Sequence, residues 1–391
     1  KSNLKENDMA RFGSISTEEF LRDYWQKKPL LVKKAFPELE TVLTPEELAG
    51  IAIEEDAESR LIREDRKKHT WQLRNGPFTE TDFQKLPKTH WTLLVQAVDQ
   101  WMPELRSLLN EFRFLPNWRI DDIMVSYAVP HGSVGPHFDF YDVFLIQGLG
   151  TRKWSIGQYC DDQTPLLANC DLRILQRMDI TEEWICEPGD MLYLPPRIAH
   201  YGIAIDPSMT WSVGFRAPSH AEILEHFCGF LSEKLGESCR YEDPEGFAQR
   251  EPGWISSHTI ESVQKIIRDA SSNKDIVAQW FGQFMSEPKY ADLEKGGKKI
   301  TLKQMQAKLK KEPELLRDES SRFLYSGTEE LPERLYINGC ELSIQPDMAE
   351  LVRYLTRERT YPAETLLQLA DSEEKIELLC KLHEQGYVYF N

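Results

Sequence analysis

The sequence predicts a mixed α+β protein, in which a barrel of short strands is followed by a helical region and a small winged-helix domain. From Arg119 to Phe215, short apolar or alternating segments are separated by Gly and Pro turns, a pattern typical of a β-sandwich or barrel such as a jelly roll. After Pro218, apolar residues recur every three or four positions, which indicates amphipathic helices. Residues 301–391 combine a hairpin signal with three helical patterns, as a winged helix does.

The N-terminal part is expected to supply helices that buttress the barrel. Residues 16–19 and 44–47 have the spacing of capping boxes, in which a Ser or Thr side chain and a Glu three positions later satisfy each other's backbone groups. Pro45 stands at the favoured first helical position. A third helix is predicted at residues 91–101.

Within the barrel region, alternation with a period of two and the turn residues between segments predict the strands. They are expected at residues 123–129, 142–148, 152–156, 191–194 and 210–215.

Three parts of the chain follow from these patterns. Residues 1–217 are expected to form the barrel with its N-terminal helices, with the core starting at about residue 90, and residues 218–291 the helical region. A Gly- and Lys-rich linker at 292–299 precedes the winged helix at 300–391. In that last part, Asn338-Gly339 predicts a tight hairpin, followed by helices at 347–358, 362–370 and 372–385 and a final strand at 387–390.

The charge of the chain argues against nucleic acid as a direct partner. The net charge is −17, and residues 301–391 hold 12 Lys and Arg against 17 Asp and Glu, a net charge of −5. Because a nucleic-acid surface needs clustered positive charge, we interpret the winged helix as a protein-interaction or structural module. An acidic surface suits a basic partner and speeds its capture.

Cysteine usage and hydropathy predict a cytoplasmic protein without a membrane partner. The seven cysteines are scattered and include no C-x-x-C pair, which favours reduced thiols over disulfides or a zinc knuckle. The chain contains no apolar run of membrane length and its first residues lack the pattern of a signal peptide.

Three residues predict a metal site. His137 and Asp139 lie two positions apart, and His200 follows later at the end of another predicted strand. Two imidazoles and one carboxylate are the ligands of the facial triad that holds non-haem Fe(II) and leaves coordination positions open for a co-substrate and dioxygen. Residues i and i+2 of a strand share a face, so His137 and Asp139 could reach one ion from one strand. His131, earlier in the preceding loop, is interpreted as a loop residue.

A co-substrate site is predicted from the strand that follows. If the reductant is 2-oxoglutarate, its far carboxylate needs a cation inside the barrel, and a planar guanidinium can grip it with two hydrogen bonds. Arg152 shares its strand face with Trp154 and would point inward, whereas Lys153 would point outward. Ser126 could donate a hydroxyl to the same carboxylate. The pattern alone equally allows Arg152 to be a surface cation.

Four segments resemble the bacterial JmjC-type ribosomal oxygenases, and the resemblance covers nearly the whole chain. They are Trp118-Arg119-Ile120-Asp121-Asp122, the run from Val134 to Phe144 that contains His137 and Asp139, the run from Pro188 to Pro196 with His200, and Trp211-Ser212-Val213-Gly214-Phe215-Arg216-Ala217-Pro218.

This resemblance implies a cupin-like double-stranded β-helix, the JmjC barrel, followed by a helical region that makes a homodimer and by a winged helix. It implies Fe(II) bound by His137, Asp139 and His200, and 2-oxoglutarate held by Arg152 with help from Ser126. With dioxygen, such an enzyme 3-hydroxylates an arginine of a basic large-subunit ribosomal protein and releases succinate and CO2.

Two departures from the family pattern stand out. They are Thr151, where a further basic residue can occur, and the loop at 131–133, which contains less glycine.

A target arginine needs acidic or aromatic neighbours, and Tyr141 and Asp142 beside the metal segment are the candidates; packing in the strand is the alternative for both. Other activities stay open on the same scaffold. They are a histidine hydroxylase, a lysine demethylase, a zinc isomerase and a non-catalytic ribosome-binding barrel.

Overall fold

The computed structural model describes residues 12–37, 42–65, 70–243, 251–290 and 296–391. The chain divides into two compact units, the first ending at Ala217 and the second beginning at Pro218. Among the described residues, no helix is both long enough and apolar enough to cross a bilayer.

The first unit is built mainly from strands. Its helices are α1 (Thr17–Asp23), α2 (Pro45–Ile51), α3 (Glu80–Gln84) and α4 (Pro103–Arg106). Its strands are β1 (Leu30–Val32), β2 (Ser59–Asp65), β3 (Thr70–Asn75), β4 (Trp91–Val95), β5 (Ile120–Ala128), β6 (Val143–Leu149), β7 (Arg152–Tyr159), β8 (Glu182–Cys186), β9 (Met191–Leu194), β10 (Ile198–Ala204) and β11 (Ser208–Phe215).

These strands form two antiparallel sheets that face each other, as the prediction of a jelly roll requires. The larger sheet has eight strands in the order β1-β9-β6-β11-β5-β4-β2-β3, and the smaller has the order β10-β7-β8. An apolar cluster joins the sheets, with Leu145 and Leu192 from the larger sheet and Trp154 and Ile156 from the smaller. The outer face of the larger sheet carries Phe144 and is covered by residues of the N-terminal helices.

Two of the three predicted N-terminal helices are confirmed. Ser16 caps α1 by accepting a hydrogen bond from the backbone of Glu19, and a full capping box with Thr44 begins α2. The predicted helix at 91–101 is wrong. Residues 91–95 form β4, which is buried at every position and pairs with β2 and β5, because a short apolar run fits a central strand as well as a helix.

The second unit contains three long helices followed by the winged helix. Its helices are α5 (His220–Lys234), α6 (Ser257–Ser272), α7 (Lys274–Ser286), α8 (Leu302–Lys311), α9 (Ala349–Arg357), α10 (Ala363–Leu369) and α11 (Glu373–Glu384). Its strands are β12 (Glu314–Arg317), β13 (Phe323–Gly327), β14 (Pro332–Ile337), β15 (Cys340–Ser343), β16 (Thr360–Pro362) and β17 (Val388–Tyr389).

The predicted hairpin is present, because Asn338 and Gly339 take the positive φ angles of 48° and 80° that join β14 to β15. Helix α7 packs on this hairpin, where the Tyr336 hydroxyl donates to the carbonyl of Ala278 at 3.2 Å. Because α7 of the helical region packs on a hairpin of the winged helix, the division of the second unit into these two parts stays a prediction. Residues 292–295 of the predicted linker lie outside the described residues.

Candidate metal and co-substrate site

The three predicted metal ligands come together where the segment that contains His137 meets β10. The Asp139 Oδ2 atom lies 4.0 Å from Nε2 of His137 and 3.6 Å from Nε2 of His200. One donor atom from each residue lies within 4.8 Å of the others, and no second such group of His, Cys, Asp or Glu occurs in the described part of the chain. His131 lies apart from this group and stacks on His90 instead.

The backbone around the triad differs from the expectation of one strand carrying His137 and Asp139. His137 forms only an isolated bridge with His200, in which each backbone N–H donates to the other's carbonyl at 3.0 and 2.8 Å. Asp139 lies outside any strand, and His200 lies within β10 rather than after a strand. The triad is therefore assembled from one strand and one irregular segment.

Each imidazole is oriented by a carbonyl two residues before it. Nδ1 of His137 lies 2.9 Å from the carbonyl oxygen of Gly135, and Nδ1 of His200 lies 2.9 Å from that of Ile198. Since a carbonyl can only accept, each Nδ1 carries the proton and each Nε2 presents a lone pair to the centre of the site. Burial, assisted by the neighbouring His137, lowers the pKa of His200 to about 4, so the ring is neutral and able to bind a metal.

Gly135 is required by both its conformation and its surroundings. Its φ angle is +86°, in the region that favours glycine. A Cβ atom at this position would lie 2.8 Å from Cδ1 of Ile174 and 3.3 Å from Cζ2 of Trp71. Any side chain here would displace the carbonyl that orients His137.

Contacts outside the hydrogen-bonded ladder hold the Asp139 segment. The backbone N–H of Arg197 donates to the Asp139 carbonyl at 2.6 Å. Phe138 and Phe140, which alternate with the ligands, lie under cations: the Arg173 guanidinium is 5.9 and 5.6 Å from their ring centroids, and that of Arg197 is 5.7 Å from Phe140. Cation–π contacts of this kind fix the orientation of aromatic rings.

Arg152 points inward from β7, as predicted, and is only 6% exposed. Its two terminal nitrogens donate to Ser126 Oγ at 3.1 Å and to Ser208 Oγ at 3.3 Å, while its Nε has no hydrogen-bond partner among the residues that the structure describes. Burial without a compensating carboxylate lowers the pKa of Arg152 to about 10. Lys153 points outward and pairs with Glu183 at 2.7 Å.

The guanidinium and the triad are close neighbours. The Trp154 ring lies between them, with its centroid 6.1 Å from that of His200 and 5.9 Å from Cζ of Arg152. Strands β7 and β10 pair with each other, which fixes this spacing through the backbone. Ser208 carries no local sequence signal, because only the pairing of β11 with β5 sets it opposite Ala128, two residues from Ser126, so that both hydroxyls reach Arg152.

The two substrate candidates lie in different environments. Tyr141 is 43% exposed, yet its hydroxyl faces the Asp139 carboxylate, whose charge raises the pKa of Tyr141 together with burial and a hydrogen bond to the same carboxylate. Asp142 is fully buried and accepts hydrogen bonds from Arg119 at 2.9 Å, Tyr193 at 2.7 Å and Gln26 at 3.1 Å. The substrate role expected for Asp142 is therefore withdrawn, because its carboxylate is enclosed and already has three donors.

Comparisons with known proteins agree with this architecture. The family model described as "JmjC domain" matches residues 107–223, and the one described as "ROXA-like winged helix" matches residues 266–389. The chain is 36% identical over 280 residues to the ribosomal protein uL16 3-hydroxylase of Escherichia coli, covering 71% of this chain and 73% of that protein. It is also 36% identical over 338 residues to a probable ribosomal oxygenase of Haemophilus influenzae, covering 83% and 81%.

Solved structures of the Escherichia coli ribosomal oxygenase YcfD have the same fold. One crystal structure superposes with a TM-score of 0.86 at 32% identity, over 97% of this chain and 99% of that one. A complex of YcfD with cobalt and 2-oxoglutarate superposes with a TM-score of 0.85 at 32% identity and equal coverage. On the identity and coverage of these relatives, the chain belongs to the family of JmjC-type ribosomal oxygenases.

Proposed function

We propose that this protein is an Fe(II)- and 2-oxoglutarate-dependent oxygenase that hydroxylates C3 of an arginine in ribosomal protein uL16. The single observation that carries the proposal is the buried guanidinium of Arg152, which has no carboxylate partner among the described residues and lies one tryptophan ring away from a His-Asp-His triad. A buried cation without a counter-ion costs stability unless an anion completes it. The substrate is taken from the uL16 3-hydroxylase to which the chain is similar.

The donor set fits iron. His137, Asp139 and His200 offer two neutral imidazole nitrogens and one carboxylate on one side of a common centre, which is the arrangement of non-haem Fe(II) oxygenases. When bound, the metal with its co-substrate supplies activation of dioxygen coupled to the loss of CO2 from 2-oxoglutarate, which leaves succinate. The protein's task is to hold the ligands at fixed positions and to exclude water.

Arg152, Ser126 and Ser208 would receive the distal carboxylate of 2-oxoglutarate. The guanidinium is already oriented by both hydroxyls, and a planar fork matches the two oxygens of a carboxylate. Trp154 and the apolar cluster between the two sheets lie around this carboxylate site. A dry pocket strengthens the ion pair and shields the reaction from water.

Tyr141 is the residue that we assign to the target arginine. Its side chain is 43% exposed and lies beside the Asp139 carboxylate of the triad. The face of an aromatic ring suits a guanidinium. The net charge of −17 would speed capture of a basic ribosomal protein.

The test is reconstitution with Fe(II), 2-oxoglutarate and oxygen, with mass spectrometry of uL16 and of peptides that cover it. The expected result is a gain of one oxygen on an arginine, matched by succinate. Oxygen on a histidine would indicate a histidine hydroxylase, and release of formaldehyde from a methylated lysine would indicate a demethylase. Binding to ribosomes without consumption of oxygen would indicate a non-catalytic barrel. Zinc should inhibit the oxygenase, whereas it would sustain an isomerase.

We also infer that the helical region forms a homodimer through α6. None of the residues of α6 is buried, and Ile260, Val263, Ile266 and Ile267 are 44–66% exposed on one side of it. An apolar stripe of this kind is typical of an interface between helices. Measurement of the molecular mass in solution should show that Ile267→Glu converts a dimer to a monomer. Lys265→Glu, on the opposite side of the helix, should leave the dimer intact. A monomeric wild type would contradict the proposal.

The remaining expectations complete the proposal. We infer that the enzyme works in the cytoplasm, where its seven cysteines can stay reduced, and that the acidic winged helix contacts protein rather than nucleic acid. Binding of the protein to naked ribosomal RNA, with affinity that falls steeply as salt is raised, would contradict the second point.

A further inference from the structure

The hairpin of β2 and β3 ends the larger sheet and carries a pair of residues that the proposed reaction does not use. Glu64 and Trp71 lie directly opposite each other in its antiparallel register, so their side chains share one face with Cβ atoms about 5 Å apart. Arg60, four residues earlier on the same face of β2, contacts Gln96 and Met124. Met124 in turn lies on the face of β5 that carries Ser126, so Glu64 and Trp71 are on the inner side of the barrel.

This pair lies at the rim of the metal site. Cζ2 of Trp71 and the side chain of Ile174 both come close to Gly135, at 3.3 and 2.8 Å from the position of a Cβ there. The carbonyl of Gly135 is the group that orients His137. A substrate segment that enters beside His137 would therefore pass along the indole of Trp71.

The chemistry of the pair matches a cation. Both side chains are half-buried, and in the described part of the chain no Lys or Arg pairs with the Glu64 carboxylate. Two cations of the described strands of the hairpin are engaged or turned away: Arg74 pairs with Asp82, and Arg63 lies on the opposite face of β2. Tryptophan is the best aromatic partner for a cation, and an adjacent carboxylate adds an ion pair.

We propose that Glu64 and Trp71 form a second cation subsite, which binds a Lys or Arg side chain that flanks the target residue in the basic substrate. This rests on the proposed function and extends it from the target residue to the sequence around it. The subsite would select substrates by a second positive charge at a fixed distance from the reacting carbon, and so act on peptide affinity rather than on the chemical step.

The test uses the uL16 peptide that the wild type hydroxylates, together with versions in which each other Lys is replaced by norleucine and each other Arg by citrulline. For Glu64→Gln and Trp71→Leu, KM for the unaltered peptide should rise about ten-fold, the size of one partly desolvated cation contact, with kcat within about two-fold. With the wild type, one of the neutralised peptides should show the same rise in KM. For that peptide, Glu64→Gln should cause no further rise in KM. Asp65→Asn is the matched control, because it removes an equal charge from the opposite face of the same strand.

Three results would overturn the subsite. They are an unchanged KM with Glu64→Gln, an equal rise in the wild-type KM for every neutralised peptide, or a rise in KM with Asp65→Asn that equals the rise with Glu64→Gln. Turnover of 2-oxoglutarate without peptide should be the same in wild type and Glu64→Gln, which shows that the core of the site is intact. A wild type that hydroxylates no uL16 peptide would remove the proposed function itself, whereas normal hydroxylation with an unaltered KM in Glu64→Gln removes the subsite alone.

Discussion

The two halves of the candidate site are built in different ways. Arg152 and His200 lie on the paired strands β7 and β10, and both are buried. His137 and Asp139 lie on a segment with a single bridge, and their side chains are 24% and 23% exposed. A hydrogen-bonded ladder therefore fixes one half, whereas individual contacts fix the other.

The difference matches what each half has to do. The closed half would hold a small, invariant co-substrate, for which rigidity and exclusion of water are favourable. The open half would face a protein substrate, which must enter and leave at every turnover. Changes in the closed half should therefore have large effects on binding, and changes in the open half should have smaller effects that act through the position of Asp139.

Removing an imidazole from the closed half should have the largest effect. In His200→Ala, hydroxylation should fall to background and the affinity for Co(II) by more than about 100-fold, since the loss of even an outer partner of a ligand costs 10–100-fold. Titration with Co(II), followed by visible absorption, measures this, and thermal unfolding of the apo-protein serves as the folding control. Hydroxylation at the wild-type rate would show that His200 is not a ligand.

Replacing the buried cation should separate co-substrate binding from stability. Burial lowers the pKa of Arg152 to about 10 in the folded protein, below its ordinary value, so the unfolded chain holds this proton more tightly. The charged guanidinium thus opposes folding at every pH below about 10, and this cost disappears as the pH rises from 10 towards the ordinary pKa of arginine. At pH 7, Arg152→Met should raise the free energy of unfolding of the apo-protein by about 1–4 kcal/mol.

The same variant should lose the co-substrate. The free energy of binding 2-oxoglutarate should become roughly 2–5 kcal/mol less favourable, because the distal carboxylate of 2-oxoglutarate would then be buried without a partner. Calorimetry measures this loss, and 2-oxoglutarate should raise the Tm of the wild type but not that of Arg152→Met. Lys153→Met, next in sequence and exposed, is the control and should change stability by only about 0.2–1 kcal/mol. Tight binding of 2-oxoglutarate by Arg152→Met would contradict the assignment.

Replacement of Asp142 should lower the stability of the protein and leave substrate binding unchanged, although Asp142 is only three residues from Asp139. Asp142→Asn leaves the guanidinium of Arg119 without its carboxylate and should cost about 3 kcal/mol, the low end for breaking a buried pair. Chemical denaturation measures this loss, and KM for the peptide should stay unchanged in the folded variant. A raised KM with normal stability would restore the substrate role that the sequence suggested.

The same contrast explains what could be predicted from the sequence. Strands such as β5 and β7 were predicted because alternation with a period of two is a local signal, and the inward position of Arg152 follows from that period. The fold of residues 136–142 depends on distant partners: Asp142 pairs with Arg119, and Asp139 with the backbone of Arg197. No local pattern encodes such contacts, so the segment was predicted as a strand. β4 was mistaken for a helix because an apolar run buried on both faces has no period.

The smallest effect should come from Arg197, and it tests how the open half is held. The φ angle of Arg197 is +69°, a conformation that costs a side-chain-bearing residue roughly 1–2 kcal/mol and glycine almost nothing. Arg197→Gly relieves this cost but removes the cation–π contacts with Phe140 and Tyr159, worth about 0.5–1 kcal/mol each. Stability should therefore change by less than about 1 kcal/mol. The affinity for Co(II) should fall several-fold, because Phe140 keeps only one of its two cation contacts, that with Arg173, and is less firmly held beside Asp139. Arg197→Lys should restore the affinity, and Arg177→Gly, which removes an exposed arginine, should have no effect on it. If Arg197→Gly binds Co(II) as well as the wild type, then the backbone hydrogen bond from residue 197 to Asp139 is sufficient, and the open half is as firmly fixed as the closed one.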